Sequence, residues 1–303
     1  MSKWPLDTAV LLMAHGTPES VDQMAEYLRL VRGGREPSPE LIHEMTGNWE
    51  AIGGHSPLTD LTHQQARALE ESLAAEGREI PVFVGMRNWR PFIADAMREI
   101  EAAGVRRVIG IPLAPQFSTL SVQKYIDAAQ ATLPAGVHFT CVRSFHDNPL
   151  LVEAFADRLL DMHPQTSEDI VFTAHSLPQR VAINGDPYPH EVAATAKAVA
   201  TRCGIGSYFT AYQSAGRTPE PWLGPDLSDF IRHRAIAGTR DVLVAPIGFV
   251  CDHTEILYDI DVAAAAAARE AGVNLRRTAS LNTSSLFIRT LAALVTQALA
   301  TPD

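Results

Sequence analysis

The stretch VFTAHSLP (residues 171–178) runs from an apolar segment into Ala-His, a small residue, one further residue and proline. The same order occurs in LLMAHGTP (residues 11–18), so that His175 in the second half corresponds to His15 in the first. A second pair follows in each half, because GVRRVIGIPLAP (104–115) resembles GTRDVLVAPIGF (238–249), a turn and then an apolar run broken at proline. The shared order indicates an internal duplication, and therefore two related lobes.

Short apolar runs alternate with longer segments whose apolar residues recur at three- and four-residue spacing, which is the spacing of one helix face. Continuous apolar runs that alternate with helices are typical of buried parallel sheets. We predict strands at residues 10–13, 81–84, 108–111 and 138–142 in the first half, and at 170–173, 208–212, 242–247 and 274–276 in the second.

This alternation predicts an α/β fold with two Rossmann-like lobes, each built on a doubly wound parallel sheet. The lobes are expected at residues 1–148 and 149–303, a division in which the C-terminal helix can pack back on the first lobe. The paired motifs would lie at the carboxyl ends of strands, where such sheets bind ligands. Residues 31–58 and 176–191 are expected to be insertions, and long segments of that kind are usually functional.

Composition is that of an ordinary globular protein, with 303 residues, 46% hydrophobic and 20% charged. The formal net charge of −10 favours a cation or a polar small molecule as ligand, and it argues against nucleic acid or anionic lipid. No run approaches the roughly 18 apolar residues of a membrane helix, and no signal-peptide pattern is present, so we expect a cytoplasmic protein without an integral membrane segment. The three cysteines, Cys141, Cys203 and Cys251, form no CxxC pair, which argues against a disulfide framework or a zinc ribbon.

The segment PIGFVCDHTEILYDID (residues 246–261) is unusually rich in possible metal ligands. Asp252 and Glu255 have the spacing of a capping box, in which both side chains would satisfy amides at a helix start. Capping does not account for Asp259, four residues after Glu255 on the same helix face, where like charges repel. We therefore favour an acidic site in a cleft over capping alone.

His175 ends an apolar run and is a usable base or metal ligand near neutral pH, although a single histidine in that position is often a satisfied core residue. Ser176 beside it would allow a hydrolase, but the Gly-x-Ser-x-Gly elbow is missing. The glycine-rich pieces GGHSP (53–57) and GIG (204–206) match neither a Walker loop nor a dinucleotide fingerprint.

Five stretches together resemble the ferrochelatase family: AHSLP (174–178), YQSAGRTPEPWLGPD (212–226), PIGFVCDHTEILYDID (246–261), EAIGGHSPL (50–58) and LAPQFSTLSVQKY (113–125). They follow the family's order and spacing over nearly the whole chain. The resemblance implies a chelatase-like fold with two lobes facing a central porphyrin cleft. It also implies an enzyme that inserts Fe²⁺ into a porphyrin and releases two protons.

The resemblance is closest to the short bacterial form that converts coproporphyrin III to Fe–coproporphyrin III (coprohaem) in haem biosynthesis. It implies porphyrin and Fe²⁺ as substrates, no tightly bound cofactor, and a coprohaem decarboxylase as a downstream partner. The C-terminal segment that carries iron–sulfur cysteines in the long forms has no counterpart after Cys251, so no iron–sulfur cluster is expected.

By position, His175 and Glu255 match the family's two groups at the centre of metal insertion, where both are catalytic and both hold the metal. Asp259 matches an outer carboxylate on a path for the metal. Relatives often carry a further acid four residues on, and this chain has Ala263 there. Which of His175 and Glu255 delivers metal and which accepts protons is left open.

The porphyrin-binding positions carry two departures from the family pattern. Arg32, Arg35, Ser56 and Tyr125 match residues that bind propionates in relatives acting on coproporphyrin. Asn48 stands where those relatives usually have an arginine. His15 stands where they usually have the tyrosine that ligates product iron, so His15 is predicted to be the axial ligand. A preference for protoporphyrin IX, another metal such as cobalt, and a non-catalytic porphyrin carrier stay open as alternatives.

Overall fold

The structure, a computed structural model, describes residues 7–216 and 218–300. Within them, contacts divide the chain into two compact units. The first contains residues 7–114, 121–144 and 282–300, and the second contains residues 115–120 and 145–281. The units are therefore not two continuous halves of the chain.

The first unit is built on a four-stranded parallel sheet of order β2-β1-β3-β4. Its central strand β1 is buried at all seven positions, as expected for an uninterrupted apolar run in a parallel sheet. The strands are β1 (Thr8–Ala14), β2 (Val82–Met86), β3 (Arg107–Pro112) and β4 (His138–Cys141). The helices are α1 (Met24–Val31), α2 (Pro39–Ala51), α3 (Leu58–Ala75), α4 (Ile93–Ala102), α5 (Val122–Ala131) and α12 (Ser285–Ala300).

The C-terminal helix α12 belongs to the first unit because it packs against α3. The Gln65 amide nitrogen donates to the Asn282 carbonyl at 2.9 Å, just before α12 begins. The Arg107 guanidinium donates to the Ala298 carbonyl at 2.9 Å, near the end of the helix. These contacts assign residues 282–300 to the first unit.

The second unit repeats the arrangement, with a four-stranded parallel sheet of order β6-β5-β7-β8. Its strands are β5 (Asp169–His175), β6 (Phe209–Gln213), β7 (Asp241–Pro246) and β8 (Asn274–Arg277). Its helices are α6 (Pro149–Leu160), α7 (Arg180–Ile183), α8 (Tyr188–Arg202), α9 (Leu227–Ile236), α10 (Thr254–Leu257), a π-helix (Asp259–Ala264) and α11 (Ala265–Ala271).

The predicted fold class and all eight predicted strands are confirmed. In each unit the first strand lies inside the sheet, flanked by the second and third, and this common order agrees with the duplication inferred from the motifs. His15 follows β1 directly, and His175 ends β5. The two strands that break at proline, β3 and β7, are also equivalent.

The prediction that residues 31–58 form an unpacked insertion is wrong for residues 39–51, which form α2. The Ser38 hydroxyl accepts a hydrogen bond from the Leu41 amide, and Pro39 occupies the first helical position. Trp49 is buried and packs with Met24, so the helix has a core contact of its own. Part of the stretch 176–191 is also helical, because α7 and the start of α8 lie there.

Candidate active site

The candidate site lies at the carboxyl ends of β5 and β7, the two central strands of the second sheet. His175 is the last residue of β5, and Glu255 lies in the one-turn helix α10 that follows β7. Nε2 of His175 is 3.5 Å from Oε1 of Glu255, and about a third of each side chain is exposed, 31% and 37%. A base and a carboxylate therefore meet where ligands reach parallel sheets.

The chain between β7 and α10 passes directly over β5, and Gly248 permits this close approach. A Cβ atom at Gly248 would lie 2.7 Å from the Cα and Cβ atoms of Ala174, the residue before His175. Only glycine fits such a contact without moving the backbone. The glycine in PIGF thus allows the segment that carries Glu255 to lie beside the strand that carries His175.

Two histidines flank the Glu255 carboxylate. Nε2 of His253 is 3.5 Å from Oε2 of Glu255, on the oxygen that His175 does not approach. The Nδ1 atom of His175 contacts the Ser176 carbonyl, and Nδ1 of His253 lies 3.0 Å from the Cys251 carbonyl. Because a carbonyl only accepts, both Nδ1 atoms carry hydrogen, and in a neutral ring the lone pair lies on Nε2, beside Glu255.

Charge pairing dominates the protonation of His175 and Glu255. Burial alone would lower the pKa of His175, but Glu255, the Ser176 carbonyl and Asp259 outweigh it and raise that pKa to about 9. Burial alone would raise the pKa of Glu255, but His175 and His253 hold that pKa well below its usual value. At neutral pH the pair is therefore an imidazolium beside a carboxylate.

Asp259 begins the π-helix, and its carboxylate accepts a hydrogen bond from the Ser214 hydroxyl. Ser214 holds that position with a positive φ of 61°, an uncommon conformation for a residue other than glycine. Burial raises the pKa of Asp259, the nearby Glu255 charge adds to the rise, and the result is about 6 despite the Ser214 hydroxyl. π-Helical turns are frequent at functional sites, and this one begins with Asp259.

The raised pKa of Asp259 predicts a stability cost at neutral pH. The folded-state pKa of about 6 exceeds the ordinary value of 3.8, so ionisation opposes folding, with no cost below about pH 3.8 and the full cost above about pH 6. Asp259→Asn keeps an oxygen for Ser214 and removes the charge. We expect its free energy of unfolding at pH 7.5 to exceed that of the wild type by about 1–3 kcal/mol.

Thermal and urea unfolding between pH 3.5 and 8 would measure this difference. The gain should shrink on acidification and vanish near pH 4, whereas the exposed control Asp157→Asn should show no such pH-dependent gain. A variant that is less stable than the wild type at pH 7.5 would contradict the assignment of a buried, unfavourable charge to Asp259.

The capping-box alternative for Asp252 and Glu255 is not found in the structure. His253, in extended conformation, is the residue that precedes α10, and no side chain caps the helix there. Asp252 instead accepts hydrogen bonds from Ser280, at 2.7 Å, and from Arg277, at 3.4 Å. Arg277 also binds both oxygens of Asp261, at 2.7 Å each. The acids of this stretch therefore fall into two pairs. Asp252 and Asp261 bind Arg277, whereas Glu255 and Asp259 lie at the candidate site.

Two residues near His175 that sequence reasoning did not assign to the site support it. Tyr188 is buried and its hydroxyl donates to the His175 carbonyl at 2.9 Å, which fixes the end of β5. Phe249 lies beside both imidazoles, with its ring centroid 4.6 Å from that of His253 and 6.3 Å from that of His175.

The hydrolase alternative depends on Ser176 as the nucleophile. Ser176 is buried, and its hydroxyl donates to the Leu223 carbonyl at 2.7 Å, so it is not available to attack a substrate.

In the first unit, His15 is half-buried beside Asn88, whose amide nitrogen lies 3.2 and 3.3 Å from the two ring nitrogens. The Tyr27 ring meets the imidazole edge-on, at 6.2 Å between centroids. Arg32 and Arg35 lie on the exposed segment after α1, and Nε of Arg35 donates to the Arg32 carbonyl at 3.2 Å. The two arginines are thus held as neighbours.

Ser56 and Tyr125 are both buried. Ser56 precedes α3, and its hydroxyl has no hydrogen-bond partner among the residues that the structure describes. Tyr125 lies on α5, with the Arg87 guanidinium 5.3 Å from the ring centroid. Asn48, in α2, is half-buried.

The structure brings His175, Glu255 and Asp259 together within the second unit. Across residues 7–216 and 218–300, no group of three or more histidine, cysteine, aspartate or glutamate side chains is arranged to hold a metal ion. The same residues include no helix with the length and apolar character needed to cross a bilayer.

Comparison with known proteins gives the same assignment along the chain. A family model for ferrochelatase matches residues 7–299. A ferrochelatase from Deinococcus radiodurans is 42% identical over 297 residues, which cover 94% of each chain. A coproporphyrin III ferrochelatase from a Geobacillus species is 38% identical over 299 residues, which cover 94% of this chain and 96% of the relative.

Among solved structures, SirB from Bacillus subtilis with Fe³⁺ is similar in fold, with a TM-score of 0.61 at 12% identity. That match covers 97% of this chain and 96% of the other. The family match spans nearly every described residue, and both of the sequence relatives given above are ferrochelatases. The chain belongs to the ferrochelatase family of metal chelatases.

Proposed function

We propose that this ferrochelatase inserts Fe²⁺ into coproporphyrin III to give coprohaem. The observation that carries the proposal is the contact between His175 and Glu255, which places a base and an anionic metal ligand 3.5 Å apart at the carboxyl ends of β5 and β7. Several relatives at 37–38% identity bear the name coproporphyrin III ferrochelatase, which supports this substrate. In the proposal Fe²⁺ is a substrate, and the reaction needs no tightly bound cofactor.

Metal insertion requires a protein group that gives up its proton when the metal binds and can then act as a base. Insertion replaces two pyrrole N–H protons by one Fe²⁺, so two protons must leave the ring and a base is needed near its centre. His175 is protonated at neutral pH because Glu255 holds the proton there. A cation bound to the Glu255 carboxylate cancels that effect, so His175 releases its proton and Nε2 gains a lone pair.

This coupling gives an order of events. Fe²⁺ first contacts Glu255, a carboxylate that is ionised throughout the neutral range because its pKa is well below the usual value. His175 then becomes neutral by passing its proton to solvent, and through Nε2 it accepts the two pyrrole protons in turn, passing the first on to solvent before it takes the second. Nε2 of His253 lies 3.5 Å from the other carboxylate oxygen of Glu255, so this second imidazole is close enough to take part in the proton transfer. A protein that only carries porphyrin needs no base that becomes available when a metal binds. This arrangement therefore disfavours the carrier alternative.

For the porphyrin, we propose that Arg32, Arg35, Ser56 and Tyr125 bind propionates. Two exposed arginines on the same segment suit carboxylates, which form their strongest hydrogen bonds with arginine. The Ser56 hydroxyl has no hydrogen-bond partner within residues 7–216 and 218–300, and a propionate that displaced the atoms covering it would supply one. Asn48 offers an uncharged amide, so one propionate contact is weaker than in relatives with arginine there. Coprohaem would then pass to a decarboxylase downstream.

The test of substrate is anaerobic Fe²⁺ insertion with coproporphyrin III and protoporphyrin IX side by side, followed by loss of porphyrin fluorescence. A larger kcat/KM for coproporphyrin III supports the proposal. A larger kcat/KM for protoporphyrin IX overturns it and shows that Asn48 in place of arginine has redirected the pocket. Repetition with Co²⁺ separates a ferrochelatase from a chelatase for another metal.

The product is expected to be ligated by His15 through a neutral ring nitrogen, with Asn88 beside the ring to limit its rotation. His15→Ala should therefore change the absorption spectrum of bound Fe²⁺–coproporphyrin and, after oxidation by ferricyanide, the EPR spectrum of the Fe³⁺ form, and added imidazole should restore both. His15→Tyr should give the spectrum of a tyrosinate-ligated iron. A bound product whose spectrum is the same in the wild type and in His15→Ala would contradict this ligation.

A further inference from the structure

Gln213 lies at the site but has no role in the chemistry described so far. It is the last residue of β6 and the register partner of His175 on the neighbouring parallel strand β5. Register partners in a parallel pair project from the same face of the sheet, about 5 Å apart. The Ser176 amide also donates to the Gln213 carbonyl at 2.7 Å. The Gln213 side chain therefore projects from the sheet beside the side chain of His175, and this hydrogen bond holds its backbone in place.

The Gln213 side chain reaches the helix that carries the opposing carboxylate. Its Nε2 atom donates to the main-chain carbonyl of Glu255 at 2.7 Å. Since a carbonyl only accepts, this contact fixes which end of the amide faces Glu255. The residue is 2% exposed, so water does not compete for this hydrogen bond. One side chain thus connects the strand end of His175 to the backbone of Glu255.

The helix it contacts has little stability of its own. α10 comprises only Thr254–Leu257, a single turn, and a π-helix follows from Asp259. A helix this short is unstable without tertiary contacts, because the free-energy cost of nucleating a helix exceeds the stabilisation from the hydrogen bonds of a single turn. No side chain caps its start. The position of Glu255 therefore depends on contacts from outside the helix, and the Gln213 bond is one of them.

Gln65 in the first unit provides an internal comparison. Its Nε2 atom also donates to a main-chain carbonyl, that of Asn282, at 2.9 Å. Its Oε1 atom, like that of Gln213, is buried and finds no hydrogen-bond partner in the described part of the chain. A buried glutamine with an unpaired oxygen is therefore not by itself a sign of function in this chain. Only the placement of Gln213, between His175 and Glu255, distinguishes the two.

We propose that Gln213 is a positioning residue for metal insertion, which holds the backbone of Glu255 so that its carboxylate stays opposite His175. The inference rests on the proposed function of that pair. Without the Gln213 bond, the short helix can shift, and the two groups no longer present a common site to a divalent cation. Loss of a residue that orients a metal ligand typically costs about 10–100-fold in metal affinity or activity.

The experiment uses Gln213→Met, which keeps the length of the side chain and removes the amide, with Gln65→Met as the matched control. Co²⁺ alone is titrated into each protein, and its visible absorption reports affinity and ligand geometry. For Gln213→Met we expect a Co²⁺ Kd about 10-fold higher, an altered spectrum, and a kcat for porphyrin metallation lower by about 10-fold. The porphyrin KM should stay within about two-fold of that of the wild type.

Gln65→Met should match the wild type in Co²⁺ affinity and kcat, whatever it does to thermal stability. Gln213→Asn, whose side chain is too short to reach Glu255, serves as a second variant if the methionine variant folds poorly. Equal Co²⁺ affinity and kcat in Gln213→Met and Gln65→Met would overturn the proposal. A rise in porphyrin KM with kcat unchanged would also overturn it, because Gln213 would then act on the porphyrin. A wild type that binds Co²⁺ but metallates no porphyrin refutes the proposed function instead, and the Co²⁺ titrations still decide the role of Gln213.

Discussion

Replacement of His175 by alanine is expected to lower kcat for Fe²⁺ insertion by about 10²–10⁴-fold, the usual contribution of a positioned general base. The loss has two causes. The ring nitrogen that accepts a pyrrole proton disappears, and Glu255 loses one of the two imidazoles that flank its carboxylate. Because the porphyrin is bound by other residues in the proposal, the porphyrin KM should change far less than kcat.

Initial rates across a range of coproporphyrin III concentrations would separate kcat from KM for this variant. His190→Ala is the matched control, because His190 is an exposed histidine on α8 of the same unit and should tolerate the change. The circular dichroism spectra of both variants should match that of the wild type. A His175→Ala enzyme with more than about a tenth of wild-type kcat would contradict a role for this residue as the base.

Replacement of Glu255 by glutamine is expected to stop insertion as severely, and also to change the titration of His175. The Glu255 charge raises the pKa of His175 to about 9 against the opposing effect of burial. With a neutral amide in its place, burial prevails, and the pKa of His175 should fall to or below its ordinary value of 6.5. The variant therefore carries a neutral His175 at pH 7.5, yet it has no anion to receive Fe²⁺.

The same change has a signature in stability. A histidine with a raised pKa stabilises the fold fully below the unfolded-state pKa, near 6.5, and loses that contribution as pH rises through about 9. Wild-type stability should therefore decline between about pH 6.5 and 9 relative to Glu255→Gln. NMR titration of the His175 ring, assigned with His175→Ala, gives the pKa directly. Glu220→Gln is the control, because Glu220 pairs with Arg180 at the surface. A pKa of His175 that stays near 9 in Glu255→Gln would show that another group holds the proton.

The strands and the duplication were predictable because buried parallel strands are continuous apolar runs that need no partner information to be recognised. The helix 39–51 was also recognisable in principle, since Ser38 followed by Pro39 is a helix-start pattern. It was missed because glycines and prolines around it are typical of loops. His175 and Glu255 were identified through the family resemblance, since their separation in sequence gives no sign that they meet.

The parts of the site that could not be predicted depend on contacts distant in sequence. Asp252 looked like a helix cap, but Arg277 and Ser280 come from β8 and the segment after it, and they bind it more fully than a helix start would. The repulsion between Glu255 and Asp259 is reduced by the Ser214 hydroxyl and by two histidines, all distant in sequence or invisible in the helical spacing. The role of His253 depends on its extended backbone, which places its ring on the far oxygen of Glu255.

In the proposed mechanism, Fe²⁺ insertion occurs at the His175–Glu255 pair. Its most direct test is a single-turnover experiment in which each protein is loaded with coproporphyrin III and mixed anaerobically with Fe²⁺, and the loss of porphyrin fluorescence is followed. We expect rapid metallation by the wild type and by His190→Ala, and metallation slower by at least about 10²-fold in His175→Ala and Glu255→Gln. Equal rates in all four proteins would contradict it.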